Sequence, residues 1–247
     1  IPPPCPRLKK TCFRTRWKWY GDSSGWLGSV TAWTGSEMST PWLQTLGRVW
    51  GMSRLHEPYR SLLAEDDGQL VSIDCETTSL NVKEAELLSI AAVRIDGQRI
   101  CTRQAFNALI TPQHAPEGPN VRVHGLRPCD FSNGLPLQDV LLEFLQFVRG
   151  RTLVGYYLQY DIAVLNKYLR PIMGAALPNR RIEVSGRYYD WRFAQYPGAY
   201  IDLRWETMVR NLGLPTLPRH DAMNDAITAA MMYLALQPRR YGAHRLP

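Results

Sequence analysis

Hydrophobic positions near residues 70 and 90 form two runs of strand length, QLVSID and LLSIAAVRI. The dipeptide Asp96-Gly97 leads from the second run into QRICTRQAFNALI. Asp-Gly between two apolar runs is typical of a β-hairpin. The pattern therefore predicts a strand followed by a hairpin in this part of the chain.

Helical periodicity begins after this hairpin. PLQDVLLEFLQFVRG carries one apolar stripe and ends at Gly150, as amphipathic helices commonly do. The stripe consists of Val140, Leu141, Phe144, Leu145 and Val148. TLVGY then predicts a buried strand.

The last third of the chain continues this alternation. DIAVLNKYLRPIMG predicts a helix interrupted near Pro171, and AYIDL predicts a short strand. RWETMVRNLGL predicts a helix ended by Gly213, and DAITAAMMYLAL predicts a final helix before Pro238. Strands alternating with helices indicate an α/β fold, with helices packed on one mixed sheet.

Composition narrows the class of protein. The 247 residues are 45% apolar and 21% charged, which is typical of a globular domain with a full core. No apolar stretch approaches the roughly 18 residues of a membrane span, and the start IPPPCPRLKK lacks the apolar core of a secretory signal. Five scattered cysteines indicate reduced thiols, so we expect a cytoplasmic protein without a membrane partner.

Charge and tryptophan are concentrated at the start of the chain. Residues 1–60 hold nine Lys/Arg against three Asp/Glu, and six of the eight tryptophans precede residue 51. This leader is interpreted either as a basic aromatic arm for single strands or as a poorly ordered segment. Because Met38 and Met52 offer later starts, it is also interpreted as non-native upstream sequence. We expect an enzymatic domain over residues 61–240 and a tail over residues 241–247.

Carboxylates at element ends are the candidate chemistry. Asp74 and Glu76 lie two apart at the end of an apolar run, so both side chains project from one strand face. Such a pair suits Mg²⁺ or Mn²⁺, which prefer oxygen ligands. On its own, such a pair is more often a solvated strand end, so other carboxylates must converge on it.

Two further segments supply acids and a histidine. Asp161 follows the TLVGY strand, where it could cap a helix. His220 precedes the final helix and Asp225 lies in its first turns, with Asp221 as the better capping candidate. Both could face the same cleft as the strand acids.

The motifs DCETT, YDIAVLNKYL and HDAMND resemble, in this order, the three motifs of the DEDDh exonuclease family. VHGL at residues 123–126 is similar to an element of its epsilon-like branch, the proofreading subunits of bacterial DNA polymerase III. The resemblance covers roughly residues 69–236. It implies an RNase H-like mixed sheet with helices on both faces and hydrolysis from a 3′ end.

The resemblance also implies roles for the motif residues. Asp74, Glu76 and Asp225 would hold one divalent metal ion, with Asp74 also touching a second. Asp161 would complete the metal site as its fourth ligand, partly through water, and His220 would act as general base. The products would be 5′-mononucleotides.

Candidate substrate contacts are less specific. DCETT implies contacts from Thr77, Thr78 and Leu80, although Ser79 occupies a position often filled by Gly. GYYLQYD departs from the more usual G-H-N-x-x-F-D, with Tyr156 and Tyr157 where His and Asn are common. These tyrosines could stack on bases or pack against the sheet. The Arg- and Tyr-rich segment 180–192 is interpreted as a strand-binding flap or a solvated hairpin.

Three functions remain open at this level. The first is an exonuclease acting on nucleic acid with a free, single-stranded 3′ end. The second is a non-catalytic nucleic-acid-binding or polymerase-associated module, and the third is a hydrolase of small nucleotides. The sequence leaves open DNA against RNA, a polymerase partner and the oligomeric state.

Overall fold

A computed structural model describes residues 49–114, 126 and 128–237 of the chain. The predicted tail 241–247 lies outside these residues, as does most of the predicted leader and residues 123–125 of VHGL. Within the described part, no helix has the length and apolarity needed to cross a membrane.

A single mixed sheet organises the described residues. Its five strands lie in the order β3-β2-β1-β4-β5. β1 pairs antiparallel with β2, β2 pairs antiparallel with β3, and β4 and β5 run parallel to β1. The strands are β1 (Leu70–Thr77), β2 (Leu87–Asp96), β3 (Arg99–Leu109), β4 (Thr152–Gly155) and β5 (Arg181–Glu183).

In the described part of the chain, α-helices and a 3-10 helix surround this sheet. The 3-10 helix spans Pro128–Asn133. The α-helices are α1 (Tyr59–Ala64), α2 (Leu137–Val148), α3 (Leu158–Met173), α4 (Val184–Gln195), α5 (Trp205–Asn211) and α6 (Ala222–Ala235). The predicted hairpin is present as β2 and β3, whose turn uses Gly97 with φ of 57°.

Alternation along β1 sends its side chains to two different layers. Val71, Ile73 and Cys75 lie in the hydrophobic core formed with α2 and α3. Ser72 projects the other way, and its hydroxyl donates a 2.7 Å hydrogen bond to the carbonyl oxygen of Ala226 in α6. The face that carries Asp74 is therefore the α6 side of the sheet.

Helices cover both faces of the sheet, as predicted. The stripe of α2 is fully buried in the first core, including Phe144 and Leu145. The second core lies on the opposite face and includes Ala91, Trp205 and Ala226. The expected α/β architecture is thus confirmed.

Three local predictions were wrong. α3 passes through Pro171 and ends at Met173, because a proline in the last turn removes few backbone hydrogen bonds while Met173 is fully buried. AYIDL is irregular rather than a strand, since Asp202 instead accepts a 3.0 Å hydrogen bond from the Arg204 N–H and turns the chain into α5. The segment 180–192 is not a hairpin, because it forms β5 and most of α4, and its strand-binding role stays a prediction.

The first core extends to the N-terminal side of residue 61. Leu55 is fully buried in this core, and Met52 packs against it. His56 donates its backbone N–H to the carbonyl oxygen of Met173, at 2.8 Å. Residues 52–60, which the sequence placed in the leader, therefore pack with the sheet and helices.

Phe144→Ala should lower the free energy of unfolding by about 3 to 5 kcal/mol, because it removes a fully buried ring and leaves a cavity. Urea denaturation measures this change. Leu142→Ala on the exposed side of the same helix is the matched control and should cost less than about 1 kcal/mol. Equal losses in both variants would contradict the assignment of the buried stripe.

Candidate active site

Three carboxylates meet on the α6 side of β1. Asp74 and Glu76 are separated by one residue on the strand, opposite Ala91 and Ser89 of β2. Asp225 belongs to the first turn of α6. One oxygen from each of Asp74, Glu76 and Asp225 lies within 4.8 Å of the others, so the three side chains form one cluster.

The start of α6 places Asp225 and His220. Asp221 is the N-cap of the helix and accepts a 2.9 Å hydrogen bond from the Asn224 N–H, in agreement with the predicted cap. His220 adopts a left-handed backbone conformation with φ of 62°. Its N–H donates to Oδ2 of Asp225 at 3.2 Å. This bond ties the histidine backbone to the carboxylate cluster.

Asp161 contacts β1 beyond the residues of that strand that pair with β4. β4 pairs with β1 only as far as Ser72, so the N–H of Cys75 lies beyond the pairing. Oδ1 of Asp161 accepts this N–H at 3.1 Å. The alternative role of Asp161 as an N-cap is wrong, because α3 begins three residues earlier, at Leu158.

Glu183 performs the capping function at α3. Its two carboxylate oxygens accept the N–H groups of Tyr157 and Leu158, at 3.1 and 3.0 Å. It is also the N-cap of α4, accepting from the N–H of Ser185. One carboxylate thereby fixes the start of the helix that carries Asp161.

Burial and mutual repulsion dominate the electrostatics of the cluster. Burial, reinforced by Asp161 and Glu76, raises the pKa of Asp74 well above its usual range. Burial, followed by the charge of Asp225, raises the pKa of Glu76 to about 7. Burial also raises the pKa of Asp225 and, more strongly, that of Asp161.

These shifts describe a site that is short of positive charge. Ionised carboxylates held this close are unfavourable unless a cation compensates them. Mg²⁺ and Mn²⁺ prefer clustered carboxylate oxygens. The donors supplied by Asp74, Glu76 and Asp225 therefore fit a divalent metal ion.

The pKa of His220 is shifted downward, whereas the pKa values of the carboxylates are raised. Burial, followed by the neighbouring charge of Arg219, lowers the pKa of its imidazole. The ring is consequently neutral at physiological pH and able to accept a proton. Its backbone hydrogen bond to Asp225 makes His220 the candidate base of this site.

The segment after Glu76 contains three of the predicted substrate contacts. Thr77 Oγ1 lies 2.6 Å from the hydroxyl of Tyr160 and donates to the carbonyl oxygen of Ser79. Thr78 closes the turn, since its Oγ1 accepts the N–H of Glu86 at 2.9 Å. Leu80 is 80% exposed, which leaves its side chain accessible beyond β1.

Tyr156 packs rather than projecting freely into solvent. Its ring lies 5.0 Å from that of Trp205 in an edge-to-face arrangement. Its hydroxyl donates to the carbonyl oxygen of Leu203 at 3.1 Å. The next residue, Tyr157, is 47% exposed.

Two charged residues at this site were missed by the sequence reasoning. Glu183 belongs to a three-residue strand, and no spacing in RIE indicates that it caps a distant helix. Arg219 directly precedes His220 and is ion-paired with Glu206 at 2.7 Å. Its position next to a motif histidine was the only available signal.

Known proteins are similar to this chain over more than two thirds of its length. The DNA polymerase III subunit epsilon of Aquifex aeolicus is 27% identical over 172 residues, which cover 69% of this chain and 81% of that protein. The PolC-type DNA polymerase III of Thermotoga maritima is 25% identical over 185 residues. That match covers 72% of this chain but only 13% of the polymerase.

Solved exonucleases share the fold. Escherichia coli Exonuclease I, in complex with a dT13 oligonucleotide, has a TM-score of 0.58 at 16% identity, covering 69% of this chain and 41% of that one. Exonuclease X, in complex with 5′ overhanging duplex DNA, has a TM-score of 0.52 at 18% identity. The match to Exonuclease X covers 68% of this chain and 90% of that one.

A family model connects the sequence to this fold. The RNase T exonuclease model matches residues 71–233, which is well over half of the chain. The matched range runs from β1 to α6 and includes all four carboxylates and His220. The chain therefore belongs to this family of DEDD-type exonucleases.

Proposed function

We propose that the chain is a metal-dependent 3′-to-5′ exonuclease of the DEDDh type, which hydrolyses nucleic acid to 5′-mononucleotides. The observation that carries this proposal is the cluster of Asp74, Glu76 and Asp225, whose oxygens lie within 4.8 Å of one another. His220, hydrogen-bonded through its backbone to Asp225, supports the DEDDh assignment.

Asp74, Glu76 and Asp225 would hold the divalent ions, Mg²⁺ or Mn²⁺, with Asp161 completing the charge of the site. When bound, two such ions stabilise the charge on the attacking and leaving oxygens of an in-line displacement. Asp161 would be the fourth metal-holding carboxylate, partly through water, because its Oδ1 already accepts the Cys75 N–H while Oδ2 is left for the ion or its water.

The chain's own residues then provide the proton transfer. The neutral imidazole of His220 accepts the proton from the attacking water as that water bonds to phosphorus. The bond between phosphorus and the 3′ oxygen of the penultimate nucleotide breaks. The terminal nucleotide leaves with a 5′-phosphate.

The substrate is proposed to be a single strand with a free 3′ end. The segment directly after the cluster is proposed to contact the terminal nucleotide through Thr77, Thr78 and Leu80. Tyr156 is proposed to line the same substrate site. The dT13 complex of the fold relative Exonuclease I supports a single-stranded substrate. The epsilon and PolC names of the sequence relatives support a polymerase partner.

Substitutions in the candidate active site should lower activity while leaving the protein folded. With Mn²⁺, Asp74→Asn should abolish release of mononucleotides from a labelled strand, because it removes a central ligand. His220→Ala should lower kcat by about 10² to 10⁴ with little change in KM. Single-turnover assays measure both effects.

Matched controls are available among exposed residues outside the carboxylate cluster. Asp139→Asn changes an exposed acid of α2, and His114→Ala changes an exposed histidine, so both variants should retain full activity. Full activity in Asp74→Asn or His220→Ala would rule out the proposed site.

Polarity can be tested on end-blocked oligonucleotides. Because the proposed site receives a free 3′ end, a 3′-phosphate block should lower the initial rate by about 100-fold or more, whereas a 5′ block should leave it within twofold. Product chromatography should show 5′-mononucleotides from the first turnover. Short oligonucleotides appearing first would indicate an endonuclease instead.

The raised pKa of Glu76 makes stability depend on pH. Between its usual value of 4.5 and its folded-state value of about 7, the folded state binds more protons than the unfolded state. Stability from this group is therefore present at low pH and is lost as the pH rises through 7.

Glu76→Gln should consequently stabilise the metal-free protein by about 1 to 3 kcal/mol at pH 8, with the gain disappearing below pH 5. Denaturation in EDTA at both pH values measures the difference. Glu84→Gln, an exposed control, should change stability by less than about 0.5 kcal/mol. A destabilised Glu76→Gln at pH 8 would contradict the repulsion described at the cluster.

A further inference from the structure

Arg219 is held at the edge of the candidate active site by two neighbours from α5. Its Nη1 lies 2.7 Å from Oε1 of Glu206. Its guanidinium carbon lies 4.9 Å from the centre of the Trp205 ring. An ion pair and an aromatic face together restrict the guanidinium far more than either would alone.

The framework behind Arg219 is continuous with the sheet. Trp205 is buried and packs edge-on against Tyr156, which follows the end of β4. The hydroxyl of Tyr156 is bonded to the backbone at Leu203. Arg219 therefore sits on a packed aromatic wall rather than on a free loop.

The charge of Arg219 influences the pKa values of the candidate catalytic groups. It opposes the rise in the pKa of Asp74 and of Glu76, and it contributes to the lowered pKa of His220. In the described part of the chain, it is the one cation among the principal influences on both acids. The residue that follows Arg219, His220, donates its backbone N–H to Oδ2 of Asp225 at 3.2 Å, which places Arg219 next to the cluster.

Arg219 nevertheless forms no ion pair with the cluster. Its hydrogen-bond partner within the described residues is Glu206. A guanidinium carries five N–H donors, and the Arg219 side chain is 33% exposed. Donors therefore remain for a ligand that approaches from the solvent side.

We propose that Arg219 binds a phosphate of the substrate strand adjacent to the scissile phosphate, an assignment that rests on the proposed exonuclease function. A planar guanidinium matches phosphate oxygens and remains charged at all relevant pH values. The scissile phosphate lies where the carboxylates gather divalent ions, which repel a guanidinium. The neighbouring phosphate is the anion that can lie between these two positive centres and beside Arg219.

The test compares two substrates that differ in their non-scissile phosphates. A dinucleotide with one internucleotide phosphate contains only the scissile group, whereas a tetranucleotide contains two more. Arg219→Met keeps a long flexible side chain beside Trp205 and removes the charge, and Arg219→Lys keeps the charge. Arg204→Met is the matched control, since Arg204 is an exposed arginine paired with Asp202.

Steady-state kinetics with Mn²⁺ should show a loss specific to the longer substrate. In Arg219→Met, the ratio of kcat/KM for the tetranucleotide to that for the dinucleotide should fall about 10-fold or more, through KM. Arg219→Lys should recover most of this ratio, and Arg204→Met should leave it unchanged. Circular dichroism confirms that each variant is folded.

Three results would overturn the assignment. Equal losses on both substrates would mean that Arg219 acts on the scissile phosphate or only on the fold. A Lys variant as impaired as the Met variant would exclude a charge-based contact. Absence of hydrolysis by the unmodified chain on either substrate would overturn the proposed function and this assignment with it.

Discussion

Four buried or half-buried carboxylates around the end of β1 repel one another, and the elements that carry them are fixed so that they stay together. Ser72 anchors α6 to the strand that carries Asp74. Asp161 is tied to the same strand through the Cys75 N–H. Because each carboxylate belongs to an element that is fixed independently, the elements do not relax apart to relieve the repulsion.

Close approach of the elements depends on small and capping residues at their ends. A side chain at Gly155 would place Cβ 3.0 Å from Leu158 and 3.2 Å from the carbonyl oxygen of Ile73. Glu183 then satisfies the first N–H groups of α3. The turn from β4 into α3 is therefore short, and it delivers Asp161 to the side of β1.

Local patterns were sufficient for much of this arrangement. Alternation in β1 correctly placed Asp74 and Glu76 on one face, and the stripe of α2 correctly identified its buried side. Asp221 was recognisable as a cap because capping is decided within three residues. In each case the responsible interactions lie close together in the sequence.

Features set by distant contacts were not predictable. β5 has only three residues and exists because it pairs with β4, while AYIDL has the apolar content of a strand but is held by Asp202 in an irregular turn. Glu183 caps α3 across 25 residues of sequence, and Arg219 pairs with Glu206 across 13, so local patterns do not encode these contacts. The sequence left open whether Tyr156 stacks on bases or packs against the sheet. Its contact with the Trp205 ring shows that it packs in this structure.

The charge balance of the site connects fold and function. An excess of negative charge destabilises the cluster until a cation binds, and Arg219 supplies only part of the compensation from its edge. Isothermal titration calorimetry with Mn²⁺ tests this account most directly. The unmodified chain should bind about two Mn²⁺ ions, and Asp74→Asn should lose at least one of them while Asp139→Asn loses none. Identical titrations for all three proteins would contradict the account.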